Sequence, residues 1–187
     1  MIETFEGSDI ERLKVVLDLR RVAFAGSRRD QRSADAWYTD AYDSQCRHVL
    51  VRDSEGEPIA SLRMALAGHW PIEDRYSGAL DKERGVEFGR LGVAHFQKDG
   101  KRILHELVVS ASRICVELER PFIYGMTIAP FWTALKKAGV PLTVLSDTIH
   151  AYGEEQNVIL FDARKLIAFY DAIQARRLSV SNGEYRK

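Results

Sequence analysis

The stretch Val86-Glu87-Phe88-Gly89-Arg90-Leu91-Gly92-Val93 determines how the rest of the chain is expected to fold. Its apolar residues predict a short strand, and one Glu and one Arg lie inside that strand. A glycine-containing loop follows at 97–101, and the sequence then continues with apolar residues at helical spacing. A strand, a glycine loop and a helix N-terminus in this order are typical of a site that holds the polar part of a cofactor.

The loop Gln97-Lys98-Asp99-Gly100-Lys101-Arg102 is similar to the start of the Q/R-x-x-G-x-G/A loop of the GNAT acyltransferases, which wraps a pyrophosphate in backbone N–H groups. We therefore interpret the stretch as an acyl-transfer centre that takes an acyl thioester. The sixth position departs from the pattern, because Arg102 stands where only Gly or Ala allows the closest approach of a phosphate. This departure weakens the prediction of ordinary coenzyme A binding. A plain strand-to-helix turn with a solvated Lys-Arg pair is the alternative interpretation.

Length and composition indicate one globular domain over residues 1–187, with 178–187 as a flexible polar tail. The 27 basic and 27 acidic side chains cancel, so no whole-molecule field favours a nucleic acid or a membrane. No apolar run reaches transmembrane length and the N-terminus lacks a signal-like core. We therefore expect a cytoplasmic protein without stable membrane insertion.

The cysteines and histidines predict no metal site. Cys46 and Cys115 have neither metal-ligand spacing nor the pattern of a disulfide framework, and Cys115 lies in the apolar stripe of the helix that follows Gly100. No clear metal spacing is present among the five histidines His48, His69, His95, His105 and His150. His95, just beyond the central strand, is either a proton-transfer residue or a solvated loop residue.

The N-terminal region predicts a helix that carries a buried arginine. Ser8-x-x-Glu11 has the form of a capping box, and apolar residues recur at helical spacing behind it as far as about Ala25. Arg20 projects from the middle of that apolar stripe, whereas Arg21 lies near its edge. A guanidinium in such a position needs an acidic partner. The alternative is that Arg20 extends past its neighbours to water.

Segment 27–43 is polar and contains two notable groups of charges. Arg28, Arg29 and Arg32 form a basic cluster, which is either a solvated face or a docking patch for an acidic protein. Asp40-x-x-Asp43 is flanked by aromatic residues. The two carboxylates either only cap a turn or help to order a site.

The remaining pattern predicts an α/β (α+β) fold with a mixed, mostly antiparallel sheet. Strands at 48–52 and 58–64 form a hairpin, and alternation along the second strand places Arg63 on an otherwise mostly uncharged face. An irregular connection or lid at 68–80 leads to the central strand. Beyond the central helix we expect a strand at 122–127, a short helix closed by Gly139, two further strands and a last helix capped by Asp162.

These residues resemble the acyl-homoserine-lactone synthases, the quorum-sensing autoinducer synthases, and the related N-acyl amino acid synthases of the GNAT-fold superfamily. The resemblance runs in the right order over residues 19–145. It is carried by Arg20-x-x-x-Phe24, Asp40-x-x-Asp43, Ser61-Leu62-Arg63, Glu87-x-x-Arg90 and Leu135-x-x-x-Gly139-x-Pro141. Two departures concern the acceptor: the family's tryptophan after the first motif is missing near Asp30, and Gly89-Arg90-Leu91 replaces Ser-Arg-Phe. The second change is closer to the N-acyl amino acid synthases.

The resemblance implies a GNAT-like three-layer fold with a splayed central strand pair and no tightly bound cofactor. It implies transfer of an acyl chain from acyl carrier protein, docked on Arg28, Arg29 and Arg32, or from acyl-CoA. The acceptor is the amine of S-adenosylmethionine, which yields an acyl-homoserine lactone, or of an amino acid. Glu87 and Arg90 are the expected catalytic residues. The expected electrostatic and acceptor-binding group is Arg20, Phe24, Asp40, Asp43 and Arg63. The expected acyl and pantetheine contacts are Phe88, Leu91, Val93, Gln97, Gly100, Phe131 and Trp132.

The chemistry places one demand on the geometry. Acylation of an amine needs a base, and Glu87 is the candidate, acting directly or through a water. It also needs hydrogen-bond donors for the developing oxyanion, and backbone N–H groups of the central strand are the candidates. Residues three apart on a regular strand face opposite sides, so Glu87 and Arg90 meet only if a bulge near Gly89 turns them together. A structural cross-strand pair is the alternative. Two other functions also remain open, an acetyl-CoA-dependent N-acetyltransferase and a non-catalytic acyl-ligand binder.

Overall fold

The computed structural model describes residues 1–24, 38–94, 99–151 and 153–184, with side chains as far as Arg176. Within these ranges the chain forms eight strands and four α-helices. In chain order they are β1 (Ile2–Glu6), α1 (Ile10–Phe24), β2 (Arg47–Arg52), β3 (Pro58–Ala65), β4 (Gly85–Val93), α2 (Gly100–Glu117), β5 (Phe122–Ile128), α3 (Ala129–Lys137), β6 (Leu142–Val144), β7 (Ile149–Ala151), β8 (Glu154–Asp162) and α4 (Ala163–Glu184).

The strands form one sheet in the order β1-β2-β3-β4-β5-β8-β6, and β7 pairs with the start of β8. The neighbours β4 and β5 are parallel, and the other strand pairs are antiparallel. This architecture confirms the predicted mixed, mostly antiparallel sheet flanked by helices. No helix of the described ranges combines the length and the apolar character that a membrane crossing requires.

The two parallel strands separate after a short paired segment. β4 pairs with β5 only where Gly85–Glu87 meets Phe122–Tyr124, although both strands continue. On its other edge β5 pairs with β8 along its whole length. Gly125 lies where the strands part, and a Cβ atom on it would stand 3.2 Å from the carbonyl oxygen of Phe88. The predicted splayed pair is confirmed, and it opens a gap in the middle of the sheet.

The sheet divides the molecule into two sides. Helix α2 packs on one face against β2, β3, β4 and β5, and α4 packs beside it. The apolar core of this side includes Val86, Ile123 and Leu107, and Cys115 is fully buried there, which confirms that it is a core residue. Helix α1 packs against β3 and β4 from the other side, with Val16 and Leu19 against Leu50.

Several local features differ from the elements that the sequence predicts. The cap of α1 is Asp9 rather than Ser8, because the N–H of Arg12 donates to Asp9 Oδ1 at 3.1 Å. Strand β1 precedes α1, and strand β7 lies in the region that we expected to be a loop. Both are short, and they are strands because β2 and β8 supply partners. The polar segment 178–187, expected as a tail, continues α4 to Glu184, and 185–187 lie outside the described residues.

The connection between β3 and β4 packs over the sheet and is fixed at both ends. It contains a short 3₁₀ turn, Pro71–Asp74, and the side chains of Trp70 and Ile72 are fully buried. Arg120, between α2 and β5, donates from Nη1 to the carbonyl oxygens of Leu66, Lys82 and Gly85. Because one guanidinium group binds both ends of the connection, the position of its middle depends on the α2–β5 junction.

Candidate active site

A β-bulge in β4 brings Glu87 and Arg90 to the same site. Arg63 of β3 pairs with Gly89 and Ser61 pairs with Gly92, so two residues of β4 lie opposite Leu62 alone. This confirms the predicted bulge and corrects its cause. The residue with the left-handed backbone is Arg90, with φ of +53°, rather than Gly89. A side chain in that conformation costs about 1–3 kcal/mol and needs contacts that hold it.

Five predicted charged side chains form one continuous chain, which we call the charged cluster: Arg20, Asp43, Arg63, Asp40 and Arg90. Arg20 Nη1 binds Asp43 Oδ1 at 2.8 Å, and Arg63 Nη1 binds Asp43 Oδ1 at 3.1 Å. Arg63 Nη1 also binds Asp40 Oδ1 at 2.5 Å, and Arg90 Nη2 binds Asp40 Oδ2 at 2.7 Å. Arg20 is 0% exposed, so the alternative that it extends to water is wrong.

Asp40 and Asp43 are held by the backbone of their own turn as well as by the arginines. Asp43 Oδ2 accepts the N–H of Asp40 at 3.0 Å, and Asp40 Oδ1 accepts the N–H of Tyr42 at 3.0 Å. Asp43 also begins a short 3₁₀ turn. The two carboxylates therefore both stabilise their own turn and pair with arginines.

The arginines keep both aspartates ionised. Burial alone would raise the pKa of Asp40, but the hydrogen bonds and charges of Arg63 and Arg90 outweigh it and lower that pKa to about 2. The pKa of Asp43 is also lowered, because the charges of Arg20 and Arg63 and the hydrogen bond from Arg20 outweigh its burial. The charged cluster thus carries three positive and two negative charges at neutral pH.

A pH-dependent contribution of Asp40 to stability follows from this shift. Its folded pKa lies below the ordinary value of 3.8, so the contribution is present above about pH 4 and is lost as the pH falls towards 2. We expect Asp40→Asn to lower the urea midpoint at about pH 6 and to lower it progressively less at about pH 3 and below. A difference between the two proteins that is constant over this range would contradict the assignment.

His48 belongs to the same network, although its sequence context predicts no such role. It is fully buried, stacks on Phe5 and pairs across the strands with Arg63. Arg20 Nη2 lies 3.3 Å from its Nδ1, and its Nε2 lies 2.8 Å from the carbonyl oxygen of Asp43. A guanidinium only donates and a carbonyl only accepts, so His48 carries its proton on Nε2. Burial lowers the pKa of His48, which keeps it neutral.

Glu87 lies beside the charged cluster but is not paired in the same way. It is 5% exposed, and its Oε2 accepts the N–H of Ile72, from the connection above it, at 3.0 Å. Burial raises the pKa of Glu87 to about 7, against the opposing effects of the Ile72 N–H and the Arg63 charge. Such a carboxylate exchanges a proton near neutral pH, as a general base does.

A cavity of about 500 Å³ opens at the gap between β4 and β5. On the side of α1 its wall includes Arg63, Glu87 and Arg90. On the side of the other helices the lining is largely apolar and includes Leu104 and Val108 of α2 and Leu166 and Tyr170 of α4. The cavity therefore joins a charged compartment to an apolar one through the sheet, with Glu87 on the charged side.

The other predicted contact residues are only partly brought together. Phe24, Phe88, Leu91 and Phe131 line the cavity, and Phe131 is 42% exposed. The described residues that line the cavity do not include Val93, Gly100 or Trp132. The indole N–H of Trp132 donates instead to Asn157 Oδ1 at 2.9 Å, which ties α3 to β8. Gln97 lies outside the described residues, and so do Arg28, Arg29, Asp30, Arg32 and His95.

At the start of α2, Arg102 lies along the helix surface. It pairs with Glu106 at 2.8 Å and with Asp99 at 3.5 Å, and its side chain is 56% exposed. Its side chain therefore lies between Asp99, just before α2, and Glu106, one turn further along the helix. In the part of the chain that the structure describes, no group of three or more His, Cys, Asp or Glu side chains is arranged to hold a metal ion.

No protein-family model and no curated protein sequence matches the chain. Solved structures match nearly all of it, but at low sequence identity. The CoA-dependent acyl-homoserine lactone synthase BjaI, solved with SAM and isopentyl-CoA, is 16% identical over 93% of this chain and 89% of its own, with a TM-score of 0.73. The acyl-homoserine lactone synthase LasI is 14% identical over 87% and 89%, with a TM-score of 0.71.

An acyl-CoA N-acyltransferase from Pseudomonas aeruginosa is 16% identical over 86% of this chain and 97% of its own, with a TM-score of 0.63. At these identities the likeness concerns the fold. The splayed sheet, the order of its strands and the helices on both faces are thus those of an acyl-homoserine-lactone-synthase-like GNAT fold.

Proposed function

We propose that the chain is an N-acyltransferase that moves an acyl group from a thioester to an amine. The observation that carries the proposal is the position of Glu87, a carboxyl group with a pKa raised to about 7, in the wall of a cavity that continues into an apolar compartment. Near-neutral bases beside apolar cavities are the usual arrangement of an active site.

In the proposed reaction Glu87 accepts a proton from the acceptor amine as the amine nitrogen attacks the thioester carbonyl carbon. A C–N bond forms, the carbonyl oxygen becomes negative, and the C–S bond then breaks. The proton that Glu87 holds passes to the departing thiolate. Backbone N–H groups of β4 beyond Glu87 are the proposed oxyanion donors, because the pairing of β4 with β5 ends at Glu87.

The charged cluster is proposed to bind the acceptor and to orient the base. Its three guanidinium groups outnumber its two carboxylates, and this excess charge balances Glu87 when that residue is ionised. Arg90 lines the cavity and is bound to Asp40, so its guanidinium group has a fixed position at the mouth of the gap. We assign Arg90 the role of an electrostatic organiser beside the reacting groups.

The substrates proposed are those of the autoinducer synthases. The donor is an acyl chain on acyl carrier protein, with Arg28, Arg29 and Arg32 as its docking patch, or on coenzyme A. The acceptor is S-adenosylmethionine or an amino acid, so the product is an acyl-homoserine lactone or an acyl amino acid. Support comes from the ordered motifs and from the fold shared with BjaI, which was solved with SAM and isopentyl-CoA. We further propose that residues 1–187 act as a single cytoplasmic domain.

An ordinary acetyl-CoA-dependent N-acetyltransferase is the second candidate, since the fold is shared with an acyl-CoA N-acyltransferase, whose donor by name is a coenzyme A thioester. The lining of the cavity supports a longer acyl group, because a two-carbon acetyl group would leave many of the apolar side chains towards α2 and α4 without contact. Unfilled apolar volume contributes no binding energy, whereas each buried methylene contributes about 0.8 kcal/mol.

The proposal is tested by incubating the purified chain with a set of acyl thioesters and amines. Acyl carrier protein and coenzyme A each carry acetyl, short and long chains, and the amines are S-adenosylmethionine and the free amino acids. Mass spectrometry then identifies any new amide. An acyl-homoserine lactone or acyl amino acid supports the proposal, formation only of acetyl amides supports the second candidate, and the absence of any amide leaves the acyl-ligand binder.

The apolar end of the cavity predicts how acyl length is selected. Val108 of α2 lines it, so Val108→Phe should reduce the room for long acyl chains. We expect kcat/KM for long-chain donors to fall by at least about tenfold while the value for acetyl and butyryl donors changes little. Ile10→Phe, at an exposed position of α1, is the matched control. Equal losses for all chain lengths would show that the acyl group lies elsewhere.

A further inference from the structure

Gln156 is a polar side chain of the cavity to which the proposed mechanism gives no role. It lies in β8, pairs with Ile128 of β5 and Ile149 of β7, and lines the same cavity as Glu87. It is only 1% exposed. Glutamine is mostly found at protein surfaces, so its burial in a largely apolar wall calls for a hydrogen-bonding reason.

Only one side of the Gln156 carboxamide, its nitrogen, forms a hydrogen bond with the described residues. Nε2–H donates to the carbonyl oxygen of Ala151 at 3.3 Å. Its carbonyl oxygen Oε1 accepts no hydrogen bond from the described residues. Gln156 lines the cavity, so a bound molecule can supply a donor to this oxygen. The structure thus holds an oriented amide with an unused acceptor beside the cavity.

The register of the strands places this amide on the charged side of the sheet. Glu87 is aligned with Tyr124 of β5, which in turn pairs with Leu160 of β8. Gln156 is four residues from Leu160, and side chains an even number of residues apart project from the same face. Gln156 therefore projects on the face of Glu87 and the charged cluster, whereas the apolar end of the cavity lies towards α2 and α4.

The same register gives the separation of the two groups along the strands. Four residues of a strand span about 13 Å, so a substrate that reaches from Glu87 to Gln156 is extended even when both side chains lean towards each other. A small amino acid is too short for this span. An acceptor with a second N–H or O–H donor far from its reacting amine is long enough.

We propose that Gln156 is a specificity-determining residue for the amine substrate, and that its Oε1 accepts a hydrogen bond from a donor group remote from the reacting amine. The proposal rests on the proposed acyltransferase function, since that function defines the acceptor. The thioester arm of the acyl donor also carries N–H groups and is the competing source of the same hydrogen bond. The side of the sheet favours the acceptor.

The test compares two acceptors that share an amine and a carboxylate, S-adenosylmethionine and methionine, of which only the first carries a remote nucleoside. Gln156→Met keeps the length of the side chain and removes the amide, and Gln174→Met on the exposed surface of α4 is the matched control. Calorimetry measures the Kd of each acceptor, and steady-state kinetics measures KM for the acceptor and the thioester separately.

We expect Gln156→Met to raise the Kd and KM of S-adenosylmethionine about fivefold to tenfold, as loss of one hydrogen bond predicts. The values for methionine and the KM of the thioester should stay within about twofold of the wild type, and Gln174→Met should change none of them. Equal losses for both acceptors, no loss, or a higher KM only for the thioester would each overturn the assignment. If no amide forms but the difference in Kd remains, the acyltransferase function fails and the assignment of Gln156 stands.

Discussion

Glu87→Gln is expected to lower kcat for acyl transfer by about 10²–10⁴-fold, the usual range for loss of a general base. The amide keeps the shape of the carboxylate and can still accept the Ile72 N–H, but it cannot take a proton from the amine. Steady-state kinetics over a range of pH measures the effect. In the wild type the rate should rise with pH to a plateau with an apparent pKa of about 7, because the base acts when deprotonated.

The same substitution should stabilise the fold at high pH. Burial raises the folded pKa of Glu87 from 4.5 to about 7, so its carboxyl is favourable when protonated and becomes costly as the pH rises through 7. A shift of this size corresponds to roughly 3 kcal/mol between the two protonation states. Glu87→Gln is neutral at every pH, so its free energy of unfolding should exceed that of the wild type at about pH 8 and approach it below about pH 5.

Together these two measurements separate a base from a structural ion pair. If Glu87 served only to pair with Arg63 or Arg90, its replacement would lower stability at pH 8 and leave kcat nearly unchanged in the folded fraction. Glu83→Gln provides the control, since Glu83 is exposed and close in the sequence. An activity loss without any gain in stability at high pH would contradict the assigned pKa, but not the role of Glu87 as a base.

Asp43→Asn is expected to be the most destabilising single change in the charged cluster, with a loss of about 3–5 kcal/mol. Asp43 is 2% exposed and accepts hydrogen bonds from two arginines, Arg20 and Arg63, that are themselves buried. Removal of its charge leaves both guanidinium groups away from water with too little negative charge beside them. Urea denaturation at neutral pH measures the loss.

Asp18→Asn is the matched control for this experiment. Asp18 also binds an arginine, Arg21, but both side chains are more than half exposed. Exposed pairs contribute about 0–1 kcal/mol, so the control should stay close to the wild type. Similar small losses for both variants would mean that water reaches Arg20 and Arg63 after the substitution, and that the charged cluster is less isolated than its geometry indicates.

The members of the charged cluster that could be predicted are those whose burial follows from helix or strand periodicity. Helical spacing alone placed Arg20 inside an apolar stripe, and a guanidinium there requires an acid, so a partner was expected before Asp43 was known to lie 2.8 Å away. Strand alternation did the same for Arg63. The order of the motifs then indicated which acids to expect, and the fold likeness to LasI and BjaI agrees with that resemblance.

Features that depend on several distant segments were not predictable. The bulge in β4 was expected at Gly89 because glycine tolerates unusual backbone angles, but the left-handed residue is Arg90, whose side chain binds Asp40 fifty positions away. His48 looked like an isolated histidine, since its partners Arg20 and Asp43 come from α1 and from the turn before β2. Ile72 binds Glu87 through its backbone N–H, which any residue type supplies, so no sequence signal marks it.

The backbone of Arg90 links the shape of the central strand to the segment that carries Asp40. A left-handed arginine is unfavourable by about 1–3 kcal/mol, and the bond to Asp40 offsets part of that cost. Departure of the Asp40 turn would therefore favour relaxation of β4 and withdrawal of the guanidinium from the gap, whereas its return would rebuild both. Under the proposed function, an acceptor that contacts Asp40 would therefore also stabilise the geometry of β4 that receives the thioester.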